Sequence, residues 1–295
     1  MMLTGLQVAV LGGDARQLEI IRKLTELDAK IYLAGFDQLE QSFTGAVKES
    51  MEDIPFEEMD AIVLPVAGLQ ANGEVETVFS NSHLRLSKDI FEKTPDHCVI
   101  FTGISPPLLT NMAEKAGRKI VRLFDRDDVA IYNSIPTAEG AVLMAIQHTD
   151  FTIHGSTVVV IGMGRVGMSV ARTFNNLGAH VLVGARKSEH LARAIEMGVT
   201  PFKMNELSAV AEKADIIINT VPSLVVTASA IAKMRPHTLI IDLASKPGGT
   251  DFRYAEKRGI KAILALGLPG LVAPKTAGQI LANVLAELLK NDVAK

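Results

Sequence analysis

Three glycines carry the clearest chemical signal in the chain. Gly162, Gly164 and Gly167, within VVVIGMGRVGMSVARTF, stand at the spacing GxGxxG. They follow a β-branched run and open a helical pattern, the context that gives this motif its meaning. Gly162 permits a tight turn, Gly164 lets backbone come close to a pyrophosphate, and Gly167 lets helix and strand approach. The first N–H groups of such a helix lack partners within it and carry partial positive charge. Met163, Arg165 and Val166 therefore join the glycines as candidate contacts to a dinucleotide.

The next strand pattern, AHVLVGARKSEH, bears on which dinucleotide that is. A carboxylate about 20 residues past the loop would accept from a ribose 2′-hydroxyl, as in NAD sites. Here Arg186, Lys187 and Ser188 occupy that place and the first acid is Glu189. Cations and a hydroxyl suit a 2′-phosphate, so the expected coenzyme is NADP; a solvated basic turn is the competing reading. Later segments should also reach the carboxyl ends of the strands. These are Thr220, Val221 and Pro222 after Asn219, then Leu243 within Asp242–Gly249, then the stretch from Gly267 to Thr276.

Such groups need sheets to hold them, and the chain is long enough for two. Its 295 residues are about twice the usual domain. Short β-branched runs alternate with helical patterns, the signature of parallel sheets covered on both faces. Strands are expected at 6–11, 30–34, 61–64, 99–102 and 119–121, and again at 157–161, 180–184, 216–220, 238–243 and 260–265. The expected fold is α/β: two Rossmann-like, doubly wound parallel-sheet domains joined by crossing helices, with the cofactor cleft between them. Residues 1–135 with 275–295 would form the substrate-side domain, and 136–274 the NADP-binding domain. One joining helix would begin in YNSIPTAEG, with Ser134 as cap and Pro136 in its first turn. The other would start at Thr276, whose spacing to Gln279 is that of a capping box, and would return to the first domain.

Composition narrows the function classes. Hydrophobic residues make up 48% and charged residues 21%, and the formal charge is -3. That balance gives no reason to expect nucleic acid, whose binders carry a basic face. The single cysteine, Cys98, cannot form an internal disulfide and fits a reducing, cytoplasmic setting. The longest uncharged stretch, 216–232, holds Asn219, Pro222 and several hydroxyls, so no membrane span is expected. The seven histidines show no metal spacing, and no metal site is expected. Gly167–Ala171 fails the GxSxG pattern in its last position, which argues against a hydrolase.

Five segments together are more specific than GxGxxG alone. GGDARQLEIIRKL, YNSIPTAEG, GMGRVG, DLASKPGGTDF and GLPGLVAPKTAGQILANVL resemble the dipicolinate synthase A-subunit family of spore-forming bacilli over about residues 3–290. The resemblance implies NADP-dependent oxidation of a dihydrodipicolinate-type ring, a lysine-branch intermediate, to pyridine-2,6-dicarboxylate. It also implies a partner, the flavoprotein-like B subunit of the same synthase, a place in the mother cell during sporulation, and possible homo-oligomers. The two-lobed layout is more distantly similar to 2-hydroxyacid dehydrogenases, but no arginine stands near Lys246 and no histidine follows His237, so that mechanism lacks its base.

A dicarboxylate substrate would need cationic or hydroxyl donors and a base for a ring proton. Arg16, in the turn Gly12–Gln17, is a candidate carboxylate contact, whereas Asp14 with Gln17 reads as a capping box. Lys246 and Lys275 follow the ends of adjacent segments, and Lys275, just before a helix, could share a bound anion. Ser105 would cap a helix or donate to a carboxylate. Glu139, at the start of the joining helix, is the best-placed carboxylate for general base. Two other readings stay open: a nucleotide-binding regulatory or scaffold subunit whose partner does the chemistry, and another NADP-linked dehydrogenase of a small carboxylic acid.

Overall fold

Parallel strands with helical crossovers build both halves of the chain. The computed structural model describes residues 2–293. Among these, 2–130 with 273–293 cluster into one unit and 131–272 into a second. The chain passes through β1 (Gln7–Leu11), α1 (Ala15–Glu26), β2 (Lys30–Ala34), β3 (Ala46–Lys48) and β4 (Ala61–Val63). A hairpin of β5 (Glu74–Val75) and β6 (Leu84–Arg85) follows, then α2 (Lys88–Lys93), β7 (Val99–Thr102), α3 (Pro107–Lys115) and β8 (Lys119–Arg122). After α4 (Asp127–His148) come β9 (Thr157–Ile161), α5 (Arg165–Asn176), β10 (His180–Ala185), α6 (Ser188–Glu196) and β11 (Thr200–Lys203). The chain continues through α7 (Leu207–Ala211), β12 (Ile216–Asn219), α8 (Ala228–Ile231), β13 (Leu239–Asp242), α9 (Phe252–Lys257) and β14 (Lys261–Leu264). It ends with α10 (Leu268–Val272) and α11 (Pro274–Leu288).

The two six-stranded sheets share one topology, β3-β2-β1-β4-β7-β8 and β11-β10-β9-β12-β13-β14. Both are the doubly wound order in which the chain reverses direction beside the first strand. Their central strands read as continuous apolar runs because helices cover both faces. Thus Val158–Ile161 and Ile216–Ile218 are fully buried. Register aligns Ile161, Asn219 and Asp242 across β9, β12 and β13, so three strand ends open side by side at one edge.

Several helix boundaries differ from the sequence expectation. The joining helix begins at Asp127, not near Ser134. Asp127 and Asp128 occupy its first turn, where the helix dipole favours acids, and the Asp128 carboxylate accepts from the Val129 amide at 2.8 Å. Ser134 is therefore no cap: its Oγ donates to the Ile131 carbonyl at 2.6 Å and pairs with the Ser169 Oγ of α5 at 2.6 Å. Pro136 lies inside the helix, where it removes one backbone hydrogen bond. The hydroxyls of Ser134 and Thr137 serve the Ile131 and Asn133 carbonyls on either side of the one it leaves. By length and composition α4 could cross a membrane, but Ala138, Ala141 and Ala145 are buried in the second unit's core.

The last helix starts at Pro274, a residue suited to a first helical position, so Thr276 is internal and makes no capping box. Its Leu281, Ala282, Val284 and Leu285 join the first unit's core, and it packs against α1. Contact is closest at Gly278, where an added Cβ would lie 2.6 Å from the Arg16 carbonyl oxygen and 3.0 Å from its Cα. Backbone cannot yield as a side chain tip can. Gly278→Ala should therefore lower the unfolding free energy by about 1–3 kcal/mol, read from the midpoint of a denaturant titration; an unchanged midpoint would mean that α1 and α11 separate at no cost.

Candidate functional site

The βα turn of the second unit is cut for backbone alone. Gly162 leaves β9 at φ +99°, and a Cβ there would meet the Thr220 hydroxyl at 2.4 Å. At Gly167 a Cβ would stand 2.1 Å from the Gly162 carbonyl oxygen. The first turn of α5 thus rests on the strand it follows. Gly164 is the opposite case: it caps α5 with an extended backbone, and nothing lies within 4 Å of where its Cβ would be. The cradle is open on the side where a pyrophosphate would approach, with the exposed residues Gly164 and Arg165 leading into the helix. Met163 is buried beneath the turn and Val166 half-buried beside it, so they shape the cradle from below.

The neighbouring strand ends are tied together by a buried polar cluster. Asp242, with no exposure, accepts from four donors. Its Oδ1 takes the Asn219 amide at 3.0 Å and the Ala244 N–H at 3.0 Å; its Oδ2 takes the Gly249 N–H at 2.8 Å and the Thr250 hydroxyl at 2.6 Å. Asn219 in turn donates to the Val221 carbonyl and accepts from the Val221 N–H, both at 3.0 Å. Thr220 donates its hydroxyl to the Ile161 carbonyl at 2.8 Å. The outcome is a rigid floor of Thr220, Val221 and half-buried Leu243, with exposed Pro222 at its rim. Sequence reasoning places these segments at the strand ends but misses the Asn219–Asp242 pair as their anchor. The signal is there: two polar residues close otherwise apolar strands at paired positions.

Arg186, Lys187 and Ser188 form the exposed turn from β10 into α6, with Lys187 as the cap and Ser188 the first helical residue. Lys187 stands 3.6 Å from Glu189, whose carboxyl lies below its ordinary range through its hydrogen bond with its own backbone amide and through Lys187. Arg186 has no carboxylate partner among the described residues and is the cation this turn leaves available.

The candidate catalytic residues do not come together as one constellation. Within the second unit, Glu139 lies mid-helix on α4, exposed, so its place is not explained by a helix start as expected. Lys246 is exposed in the loop after β13. Within the first unit, Arg16 has a local duty that the sequence does not reveal: its Nε and Nη2 grip both oxygens of Asp14, Nη2 at 2.6 Å. Asp14 does cap α1 through a capping box with Gln17. A guanidinium carries five N–H donors, so Arg16 keeps its Nη1 group for another acceptor. Ser105 does not cap α3; Pro106 holds that position, and the Ser105 Oγ pairs with the Thr110 Oγ1 at 2.8 Å. Lys275 is the second residue of α11 rather than its predecessor, and lines a groove of about 390 Å³ with Glu19, Arg22, Lys23 and Glu26. Those carboxylates fill the role of the anion it was expected to share.

The first unit repeats the strand–turn–helix geometry but closes it. The Gly13 N–H donates to the Glu76 carbonyl at 2.6 Å, Val78 N–H donates back to Gly13 O at 3.1 Å, and a Cβ on Gly12 would lie 2.5 Å from the Glu76 oxygen. Cys98 is buried, which pushes its thiol up to about 12 and removes it from nucleophilic chemistry at neutral pH. Among the described residues no three metal-ligating side chains gather.

The contrast between two glycines gives a test. Gly164→Ala should leave the unfolding midpoint nearly unchanged yet weaken dinucleotide binding about tenfold or more, because the new methyl occupies the open approach. Gly167→Ala should instead destabilise the protein by about 3 kcal/mol. Thermal unfolding and calorimetric titration separate the two; equal behaviour of both variants would refute the assignment of the cradle.

Comparison with known proteins agrees with this geometry. Residues 7–124 match the family model for the N-terminal domain of the dipicolinate synthase A subunit. Residues 138–246 match that of the D-isomer specific 2-hydroxyacid dehydrogenase NAD binding domain. The dipicolinate synthase A subunit of Bacillus subtilis (strain 168) is 62% identical over 98% of this chain and 97% of its own. The crystal structure of the dipicolinate synthase A subunit from Bacillus halodurans superposes with a TM-score of 0.97 at 59% identity, covering 98% of this chain and 99% of that one. The crystal structure of the Bacillus subtilis protein gives 0.95 at 62% identity over 99% and 98%. With its dehydrogenase-type nucleotide domain and a likeness that spans nearly every residue, the chain belongs to the dipicolinate synthase A-subunit family.

Proposed function

We propose that the chain oxidises a dihydrodipicolinate-type ring to pyridine-2,6-dicarboxylate with NADP as oxidant. The observation that carries this reading is an open glycine cradle followed by a turn with an unpaired arginine and no carboxylate before Glu189. Family membership supports the substrate class, and the nucleotide-domain match supports dehydrogenase chemistry. Gly162, Gly164, Arg165 and Gly167 would hold the pyrophosphate, with Thr220, Val221, Pro222 and Leu243 flooring the nicotinamide end. Arg186, assisted by Lys187 and Ser188, would neutralise the 2′-phosphate. When bound, the coenzyme accepts a hydride, that is two electrons and one ring hydrogen.

The chain's own groups handle the remainder. A second ring hydrogen must leave as a proton while the ring gains a double bond, and aromaticity favours that direction. Glu139 is exposed and has no partner among the described residues, so its carboxylate is open to receive the proton. Lys246 is free to hold a substrate carboxylate. The name of the curated relative supports a partner, the B subunit of the synthase, and with it a place in the sporulating mother cell. One observation favours the alternative of a regulatory role: Ser105 and Arg16 already have internal partners, so the acid–base set is sparse.

Three measurements test the reading. Purified chain mixed with NADP and freshly made dihydrodipicolinate should produce the reduced-nicotinamide absorbance without the B subunit; silence until that partner is added would favour the regulatory alternative. Arg186→Ala should weaken NADP about 10- to 100-fold and NAD little, and equal losses would sink the phosphate assignment. Glu139→Gln should lower kcat about 100-fold with NADP affinity intact; an unchanged kcat would remove it as base.

A further inference from the structure

One buried polar group in the second unit has no partner. The Oδ1 of Asn133, on α4, is buried and makes no hydrogen bond. Its neighbours are all engaged: Ser134 bonds the Ile131 carbonyl and the Ser169 hydroxyl, and Thr137 bonds the Asn133 carbonyl at 2.7 Å. Nor does the Asn133 amide nitrogen bond any described residue. Buried polar atoms in folded proteins are overwhelmingly paired, and asparagine is a poor residue for a helix interior. An aliphatic side chain would fill this place at less cost. The amide is therefore placed for something that the chain does not itself supply.

Its position says what that is. The last turn of α4 lies at the amino ends of the strands, where Gln147 and His148 line a groove with Pro236, His237 and Leu239, the residues that open β13. Asn133 is roughly four turns back along the helix, about 22 Å, farther than a five-residue strand reaches, about 17 Å. It stands at the carboxyl edge, where doubly wound sheets bind their ligands. Two contacts fix it sideways. Ser134 touches Ser169, one turn into α5, and the Gly140 Cα packs so closely on Leu268, beyond β14, that a Cβ would lie 2.8 Å from the leucine Cβ. The adenine end of a dinucleotide lies toward β10 and Arg186. Asn133, between α5 and the segment after β14, is on the other half, where the nicotinamide goes.

We propose that Asn133 is the hydrogen-bonding partner of the nicotinamide carboxamide, its Oδ1 accepting from the carboxamide N–H and its Nδ2 free to donate in return. Two primary amides are complementary in this way, each offering one acceptor and two donors. The pairing fixes the rotation of the carboxamide and with it the face the ring presents. Asn133 is thus a positioning residue, and its assignment rests on the dinucleotide reading above.

The test is a calorimetric titration of wild type and Asn133→Leu with NADP and with its 3-acetylpyridine analogue, whose acetyl group keeps the carbonyl but has no N–H. Wild type should prefer NADP about tenfold, and Asn133→Leu should bind the two equally while melting no lower than wild type. If leucine crowds the site, Asn133→Ala reads the same preference. A variant that keeps the wild-type preference, or a wild type that shows none, overturns the inference. Wild type that binds neither compound overturns the dinucleotide reading instead.

Discussion

A carbonyl oxygen at Gly162 leaves no space for a side chain at Gly167, and the remaining architecture of the second unit depends on that contact. Because helix and strand touch there, the first turn of α5 is held over the end of β9 and its unpartnered amides face outward. Looser packing would tilt the helix and turn those donors away from a common point. The Thr220 hydroxyl, which fills the place of a Cβ on Gly162 and bonds the Ile161 carbonyl, locks the same turn from the side of β12. An anion seat is thus made from backbone that cannot shift without breaking the sheet.

The carboxylate of Asp242 extends this rigidity to the next two strands. Burying an acid is unfavourable unless its oxygens are satisfied, and each hydrogen bond to a charged group is worth about 1.5–3 kcal/mol. Four donors from Asn219, Ala244, Gly249 and Thr250 converge on it, so the loop after β13 is wound around the carboxylate. Gly249 fits only as glycine, because a Cβ would strike the Val221 carbonyl at 2.3 Å. The floor beneath the coenzyme and the loop bearing Lys246 are therefore one structure.

Strand positions are legible because parallel strands buried on both faces leave apolar runs, and the expected runs at 157–161 and 216–220 lie within a residue of β9 and β12. The short edge strands Ala46–Lys48 and Thr200–Lys203 leave no such run, being partly exposed, and escape a reading by pattern. Proline misleads twice in opposite ways. At Pro136 it suggests a helix start, but hydroxyl groups on both sides let α4 run through it; at Pro274 it is a start that a capping-box pattern two residues later conceals. The glycine cradle can be read from spacing because its constraint is local. Arg16 cannot, because whether its guanidinium is committed depends on the rotamer that brings it onto Asp14. Asn133 stands out in sequence only as part of a motif; that its amide lacks a partner is a fact of three dimensions.

Both sheets have the same strand order, yet their first crossovers have diverged. In the first unit the chain's own Glu76 carbonyl is lodged against Gly12 and Gly13, putting partial negative charge where a nucleotide fold would seat phosphate. An acceptor there repels anions and consumes the amide that would have bound them. Architectural duplication consequently does not mean two equivalent sites: the stoichiometry this polypeptide can sustain is one dinucleotide per chain, and the first sheet was released to evolve other contacts.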